Sequence, residues 1–527
     1  MDHFDRIYIV SDLHLGGESG RQIFKGGEVL RDLMFMVAAL PADRKIAFVI
    51  NGDFVDFLAE PGARYFDPNG AADKLDRISA DHAFSPVWEG MRKLVRTPNR
   101  RLVFVLGNHD VELALPTVQA RLLATIAGED DSARGRIIYS TMGTGFAALV
   151  GSARVLCLHG NETDAFNVTN YEQLRRLARD QEFGRALEDW TPNAGTKLVI
   201  DVMNGIKREW PFIDLLKPET DAVLPVLFAF DQVNVDRILA AMKIAGKLTW
   251  DATRRATGFL SEDEAATNAA AAAMPASVDR RSSLSASSRA AADLMMLLSK
   301  AYEVPPTTGE DEALRDLLQK TEDRFRKGQD PLQLSPVELE DRLGAWNLTK
   351  AAVKAGWSKL IRRTPSETLR AALHHLRKDK SFDPSFEDDD FKRIDQIVPV
   401  GIEYVVAGHT HLRRVHARAG GSYINTGTWA RLINLDTAIL DDTEVFQAFY
   451  QALSKHSLDE LDHARVPLPK DVSPSKDRTL PVVIHQPSVA VIQRTDAGVV
   501  GSLFEVRTAT EGVSLLEVSP TPPEASS

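Results

Sequence analysis

Short apolar runs recur through the first third of the chain, each closed by a turn rich in glycine, asparagine or aspartate. Ile7-Tyr8-Ile9-Val10, Lys45-Ile46-Ala47-Phe48-Val49-Ile50, Arg101-Leu102-Val103-Phe104-Val105-Leu106 and Val155-Leu156-Cys157-Leu158 are apolar at consecutive positions. Both faces of such a run need cover, which predicts strands buried in a layered sheet and not strands with one wet face. Helical periodicity fills two of the gaps, over residues 27–40 and 87–95. A fifth run, residues 403–407, comes much later, and residues 422–429 read as a strand with a tight turn. Residues 488–493 and 501–506 alternate like half-buried strands, with Thr495-Asp496-Ala497-Gly498 as the hairpin turn between them.

From about residue 166 to residue 398 the strand rhythm stops. Residues 171–190, 233–248 and 366–376 are helical in pattern, so the stretch reads as a mostly helical insertion between the fourth and fifth runs. Its most apolar parts are residues 210–218 and 222–230. Packing within a helical subdomain is the first reading for them, and a substrate groove the second. Residues 261–292 are low in complexity and rich in alanine and serine, as in a connector or a weakly held helix. Residues 356–363 mix bulky apolar with basic side chains, which suits a solvated helix face first and a membrane surface or acidic partner second. The expected organisation is half of a layered domain over 1–165, the insertion over 166–398, the other half over 399–518, and a disordered tail over 519–527.

Composition narrows the class. At 527 residues, with 44% hydrophobic and 26% charged, the chain is an ordinary globular protein, long enough for several domains or one with a large insertion. A net charge of −11 argues against a general nucleic-acid or anionic-membrane binder. The single cysteine, Cys157, excludes an internal disulfide framework and a thiolate metal cluster, and it points to a reducing, cytoplasmic setting. Because Cys157 lies inside an apolar run, it reads as a small core residue. The N-terminus has no basic segment followed by an apolar one, and no run nears the roughly 18 residues that span a bilayer. A soluble protein is expected.

The chemistry lies where the runs stop. In order, the endings are Asp12-Leu13-His14, Gly52-Asp53 with Asp56 three residues on, Gly107-Asn108-His109-Asp110, His159-Gly160 with Asp164 beyond, and Gly408-His409-Thr410-His411. Asp12 and His14, two apart in extended chain, would point the same way and reach one metal. Asp53 has two oxygens with which to bridge two cations, and Asp56 would orient a ligand. Asn108 offers a neutral oxygen, and His109 a proton, with Asp110 fixing its tautomer. Singly, these segments also read as turns, for which Asn-Gly-Asp is a common sequence. Five of the 13 histidines nevertheless fall inside them, at strand ends where a layered sheet brings separate loops together.

The ordered set D-x-H, G-D-x-x-D, G-N-H-D, H and G-H-x-H resembles the calcineurin-like metallophosphoesterase superfamily, over about half of the chain at its two ends. The resemblance implies an α/β, four-layer fold of two packed β-sheets flanked by helices. It implies that Asp12, His14 and His411 bind one metal, that Asn108, His159 and His409 bind a second, and that Asp53 bridges the pair. Such a ligand set suits manganese first, then iron or zinc. A hydroxide bridging cations roughly 3.5–4 Å apart would attack phosphorus, while His109, backed by Asp110, protonates the leaving oxygen. Arg413 and Arg414 read first as surface arginines and second as holders of a phosphate. The Asp-Leu-His-Leu opening and Asp164 also resemble the UDP-2,3-diacylglucosamine hydrolases, which carry arginine in place of His109 and lack so long an insertion.

The expected activity is hydrolysis of phosphodiester or pyrophosphate bonds in a nucleotide or lipid-linked ester, with the insertion as lid or specificity domain. One alternative is a phosphomonoesterase. The other is a catalytically silent, metal-bound scaffold that binds partners through the insertion. Scaffold members usually lose ligands, and here every ligand position is filled.

Overall fold

All five apolar runs form strands, and two sheets share them. In the computed structural model, residues 1–164, 167–216, 366–367, 369–370, 373–374, 385–455, 457–468 and 479–518 are described. The strands are β1 (Asp2–Phe4), β2 (Arg6–Val10), β3 (Ile46–Asn51), β4 (Arg100–Val105), β5 (Ile137–Ser140), β6 (Phe146–Val150), β7 (Ala153–Cys157), β8 (Tyr404–Ala407), β9 (Arg413–Arg418) and β10 (Gly421–Thr426). Two short ribbons follow, β11 (Leu432–Ile433) with β14 (Val483–Ile484) and β12 (Arg465–Pro467) with β13 (Thr479–Pro481). Last come β15 (Ser488–Thr495), β16 (Gly498–Thr508) and β17 (Val513–Glu517).

One sheet has seven strands, ordered β17-β16-β15-β2-β3-β4-β5, and the other has six, ordered β1-β6-β7-β8-β10-β9. β2 to β5 run parallel, β15 joins β2 antiparallel, and the β15–β16 hairpin turns between Thr495 and Gly498, as the sequence suggested. β8, the distant fifth run, lies parallel to β7.

Alternation along the strands makes the layers. Tyr8, Val10, Phe48, Ile50, Leu102 and Phe104 share one core with helices α1 (Gly27–Ala39), α2 (Ala71–Ala80), α3 (Ser85–Arg96) and α4 (Pro116–Ala127). Their neighbours Ile7, Ile9, Ala47, Val49, Val103 and Val105 turn the other way and meet Ala148, Val155, Cys157, Val406 and Ile424 of the second sheet. On that sheet's outer face, Val405, Ala407 and Tyr423 are covered by Phe391 and Ile394 of helix Asp389–Ile397. Helices, sheet, sheet, helix: this is the four-layer arrangement expected. Each aliphatic or aromatic side chain so buried is worth about 1.5–3 kcal/mol. Burial also pushes the Cys157 thiol up to about 12, so it packs and does not react.

One expectation changes. The helical pattern over 171–190 forms a helix only at Tyr171–Glu182, which closes when Arg185 N–H bonds back to Asp180 O at 2.8 Å. Residues 210–216 agree with the packed reading, with Phe212, Ile213, Leu215 and Leu216 all buried, while residues 217–218 lie outside the described ones.

The chain divides into two compact units, Met1–Pro218 with Arg377–Ile439 and Gln451–Ser527, and Glu219–Leu376 with Leu440–Tyr450. Within the second, Arg370 ties helical residues to Leu440 O (2.6 Å) and Thr443 Oγ1 (2.6 Å). The expectations for residues 222–230, 233–248, 261–292, 356–363 and 519–527, and part of that for 366–376, lie outside the described residues. No helix among the described residues is long and apolar enough to cross a membrane.

Candidate metal centre

The loops that follow β2, β3, β4, β7 and β8 are sewn to one another by main-chain bonds. Asp12 N donates to Gly52 O (3.1 Å), His14 N to Asp53 O (2.9 Å) and Gly408 N to His159 O (2.8 Å). Side chains add to the stitching, with His109 N donating to Asp53 Oδ1 (2.9 Å) and His409 N to Asp12 Oδ1 (3.1 Å). Two glycines within the motifs are set by this closeness. A Cβ on Gly52 would collide with the His159 ring, and one on Gly408 with the Asp12 carboxylate.

The backbone here is strained. Six non-glycine residues have positive φ among those described, and five are Asp12 (54°), His14 (49°), Asp53 (50°), His409 (68°) and His411 (60°). Asp12 and His14 therefore do not share a face of extended chain, as their spacing suggested. β2 ends at Val10, and left-handed turns at Asp12 and His14 aim the side chains instead. The left-handed region costs an L-residue on the order of 1–2 kcal/mol, and such strain clusters where function needs a fixed geometry.

The described side chains form three groups, each offering ligand atoms within 4.8 Å of one another: two share Asp53, namely Asp12, His14, Asp53 and His411, and Asp53, His159 and His409, and the third is His14, Asp56 and His109. His14 Nε2 is 3.1 Å from His411 Nε2 and 3.6 Å from Asp53 Oδ2. His411 Nε2 is 3.2 Å from Asp12 Oδ1, and His159 Nε2 is 3.2 Å from Asp53 Oδ2. Atoms bonded to one cation at about 2.1 Å sit about 3.0 Å apart in octahedral and about 3.4 Å apart in tetrahedral geometry. The separations match.

Two buried atoms test whether a cation fits. Among the described residues neither Asn108 Oδ1 nor His159 Nε2 makes a hydrogen bond, and His159 Nε2 has only the Asp53 carboxylate before it at 3.2 Å, although such atoms are rarely left so. His159 Nδ1 lies 2.9 Å from Asn51 O and donates to it, which turns Nε2 toward Asp53. Electrostatics agrees. Burial works to raise Asp12, but His411 outweighs it and brings the carboxyl down to about 2. Asp53 likewise falls well below its ordinary value, held there against burial by His159 and His109. Burial works to lower His159, but Asp53 carries it up to about 10. The carboxylates demand positive charge, which imidazolium protons supply here and a divalent cation would supply in their place.

Residues 5–231 match the model of the calcineurin-like phosphoesterase family. The chain carries a calcineurin-like phosphoesterase domain. It is a metal-dependent hydrolase of phosphoric esters, and its buried His/Asp cluster suits divalent cations. The match is to the family as a whole and stops before His409 and His411, which β8 brings beside β7. No curated protein and no solved structure matches the chain.

In this phosphoesterase some partners differ from those expected. Asp110 does not back His109. Its oxygens accept from Gly107 N (2.7 Å) and Phe54 N (2.8 Å), and the carboxylate beside His109 Nδ1, at 3.1 Å, is that of Asp56. The same Asp56 Oδ2 lies 3.3 Å from His14 Nδ1. Arg413 pairs with Glu505 (3.1 Å), and Arg414 is buried against Asp388. Sequence reasoning missed Ser11, whose buried hydroxyl bonds to Asp12 Oδ2 and lies 2.6 Å from Thr426 Oγ1. Serine before aspartate gives no signal of its own.

Proposed function

We propose that the chain hydrolyses phosphodiester or pyrophosphate bonds at a centre of two divalent cations. The observation that carries this is the pair of ligand groups sharing one carboxylate, Asp53. On this reading Asp12, His14 and His411 hold one cation, Asn108, His159 and His409 the other, and Asp53 lies between them. Oxygen and imidazole donors favour manganese, with iron or zinc next. Bound there, the cations would supply an activated water and neutralise phosphate charge.

The protein's own residues do the rest. Asp56 accepts a hydrogen bond from His109 Nδ1–H, and the protonated ring gives its Nε2 proton to the departing oxygen, ending as neutral imidazole. Asp110 holds the loop that presents His109 and Asn108. With Arg413 and Arg414 engaged by carboxylates, the centre has less positive charge for a dianionic monoester, which supports diesters and pyrophosphates over monoesters. Tyr65 Oη donates to Asp201 Oδ1 (2.7 Å) and Asn204 Nδ2 to Leu58 O (2.9 Å). These bonds tie the start of the 166–398 insertion to the loop after Asp56, which supports a lid or specificity role. The buried lone thiol suits a cytoplasmic setting, and the substrate is a nucleotide or lipid-linked ester.

The test is hydrolysis of bis-p-nitrophenyl phosphate and p-nitrophenyl phosphate with added manganese. Diester turnover is expected, falling about 10³-fold or more in Asp53→Ala, since a metal clamp is worth several kcal/mol. His109→Ala should cost about 10²-fold on a diester with a poor leaving group and less on p-nitrophenolate, which leaves without a proton. Monoester preference would make this a phosphatase. Two bound metals with no turnover of any ester would favour the scaffold reading.

A further inference from the structure

Past His159-Gly160 the chain turns back on itself and brings Asp164 to the centre. Thr163 N bonds to Gly160 O (3.1 Å) and Asp164 N to Asn161 O (3.2 Å), while Asp164 O accepts from Asn167 N (3.1 Å) and Val168 N (2.8 Å). The Asp164 Oδ2 so placed lies 2.9 Å from His409 Nε2. The same oxygen accepts from Asn167 Nδ2 at 2.6 Å. Asn167 is itself fixed, because Asn161 Nδ2 and Asn193 Nδ2 both donate to its carbonyl at 3.1 Å. From the other side, Arg393 Nη1 donates to Thr163 O at 2.9 Å and anchors the loop to helix Asp389–Ile397. A carboxylate held from two sides against one nitrogen of an imidazole fixes both the ring plane and the tautomer. With the proton on Nε2, Nδ1 is the only nitrogen of His409 left to meet a cation.

We propose that Asp164 is a positioning residue that orients His409 and thereby sets the affinity of one cation position, that of Asn108, His159 and His409. The inference rests on the two-cation reading above. It is selective, because the other position has its own orienting carboxylate in Asp56, which faces His14. Asn167 extends the device toward the insertion. Its side-chain oxygen lies against Gly195, where a Cβ would collide with it, at the start of helix Ala194–Leu198.

The experiment titrates manganese into the metal-stripped full-length chain, wild type against Asp164→Ala and Asp164→Asn. Calorimetry gives the affinity of each site, and electron paramagnetic resonance distinguishes coupled from single Mn²⁺. Two sites and a coupled signal are expected in the wild type. In Asp164→Ala one site should keep its affinity while the other weakens about 10–100-fold, and the coupled signal should give way to that of isolated Mn²⁺. Asp164→Asn keeps an acceptor but not the charge and should fall between. If Asp164→Ala does not fold, Asp164→Asn, of the same size, decides. Two unaltered sites in both variants would overturn the role of Asp164 and leave the two-cation reading standing, and so would equal weakening of both sites. A wild type that binds only one cation would sink that reading, and this inference with it.

Discussion

β4 begins and ends in buried polar groups, built on opposite terms. At its start Arg100 is fully buried, yet its guanidinium donates to Val37 O (3.0 Å), Arg44 O (2.8 Å) and Pro41 O (3.2 Å), and also to Leu40 O. Several of these carbonyls belong to the end of α1, where a helix leaves acceptors without intrahelical partners. The one left-handed residue nearby is Asn99 (φ 58°), a type that tolerates the conformation, with its side chain bonded to Ala42 O at 2.8 Å. At the far end the terms reverse: Asn108 Oδ1 has no hydrogen-bond partner among the described residues, and left-handed turns fall on aspartates and histidines. Burial of polar groups does not by itself mark a site. Burial with an unanswered atom and a strained backbone does.

The sharpest way to break this comparison is Arg100→Met. It fills the space but strands the carbonyls, and it should lower stability by about 2–4 kcal/mol, while the folded fraction keeps its kcat. Denaturant melts paired with kinetics would read both, and lost activity at unchanged stability would erase the distinction between the two ends. Asp56→Asn should do the converse. Asp56 Oδ1 accepts from Leu58 N and Ala59 N at 3.0 Å each, so an amide must keep its oxygen there and turn its NH₂ toward His14 and His109. Both imidazoles then face a donor where they need an acceptor. Diester turnover should fall about 10–100-fold, and stability by less than in Arg100→Met. Wild-type turnover in Asp56→Asn would remove Asp56 from the site.

Strand ends and the His/Asp cluster gathered beyond them were legible because a sheet buried on both faces writes itself as unbroken apolar runs, and the polar motifs stand where the runs stop. What was illegible depends on neighbours remote in sequence. Asp110 is next to His109 in the chain, but main-chain donors at Gly107 and Phe54 claim it. Asp56 arrives because Phe57 N bonds to His109 O at 3.3 Å, which lays the two loops side by side. Arg413 and Arg414 look alike in sequence, yet they alternate across β9, and the inner one lies under helix Asp389–Ile397 with Asp388. That helix fell within the span assigned to the insertion, although its apolar face covers the second sheet. No run or spacing announced Arg100 as the cap of α1, because the carbonyls it serves are set by where that helix ends.

Glu112, two residues past the β4 motif, falls between the two regimes and gives the smallest effect. It is fully buried; Oε1 accepts from Asp67 N at 2.9 Å, and Oε2 has no hydrogen-bond partner among the described residues. Burial raises its carboxyl from 4.5 to about 7. The native state therefore binds more protons than the unfolded chain between those values, and stability falls as pH rises. Glu112's contribution is fully present below pH 4.5 and lost as pH passes through about 7. The shift caps the effect at about 3 kcal/mol, and relaxation around the ionised group should leave about 1 kcal/mol. Glutamine keeps the acceptor for Asp67 N and cannot ionise, so Glu112→Gln should flatten the decline in melting temperature between pH 5 and pH 8. The melts belong in excess chelator, so that metal binding at the neighbouring histidines does not add its own pH dependence. Equal slopes in the two proteins would mean that Glu112 stays ionised in the fold, answered by the nearby Lys74–Asp67 pair (2.8 Å), and would move it to the satisfied end of the comparison.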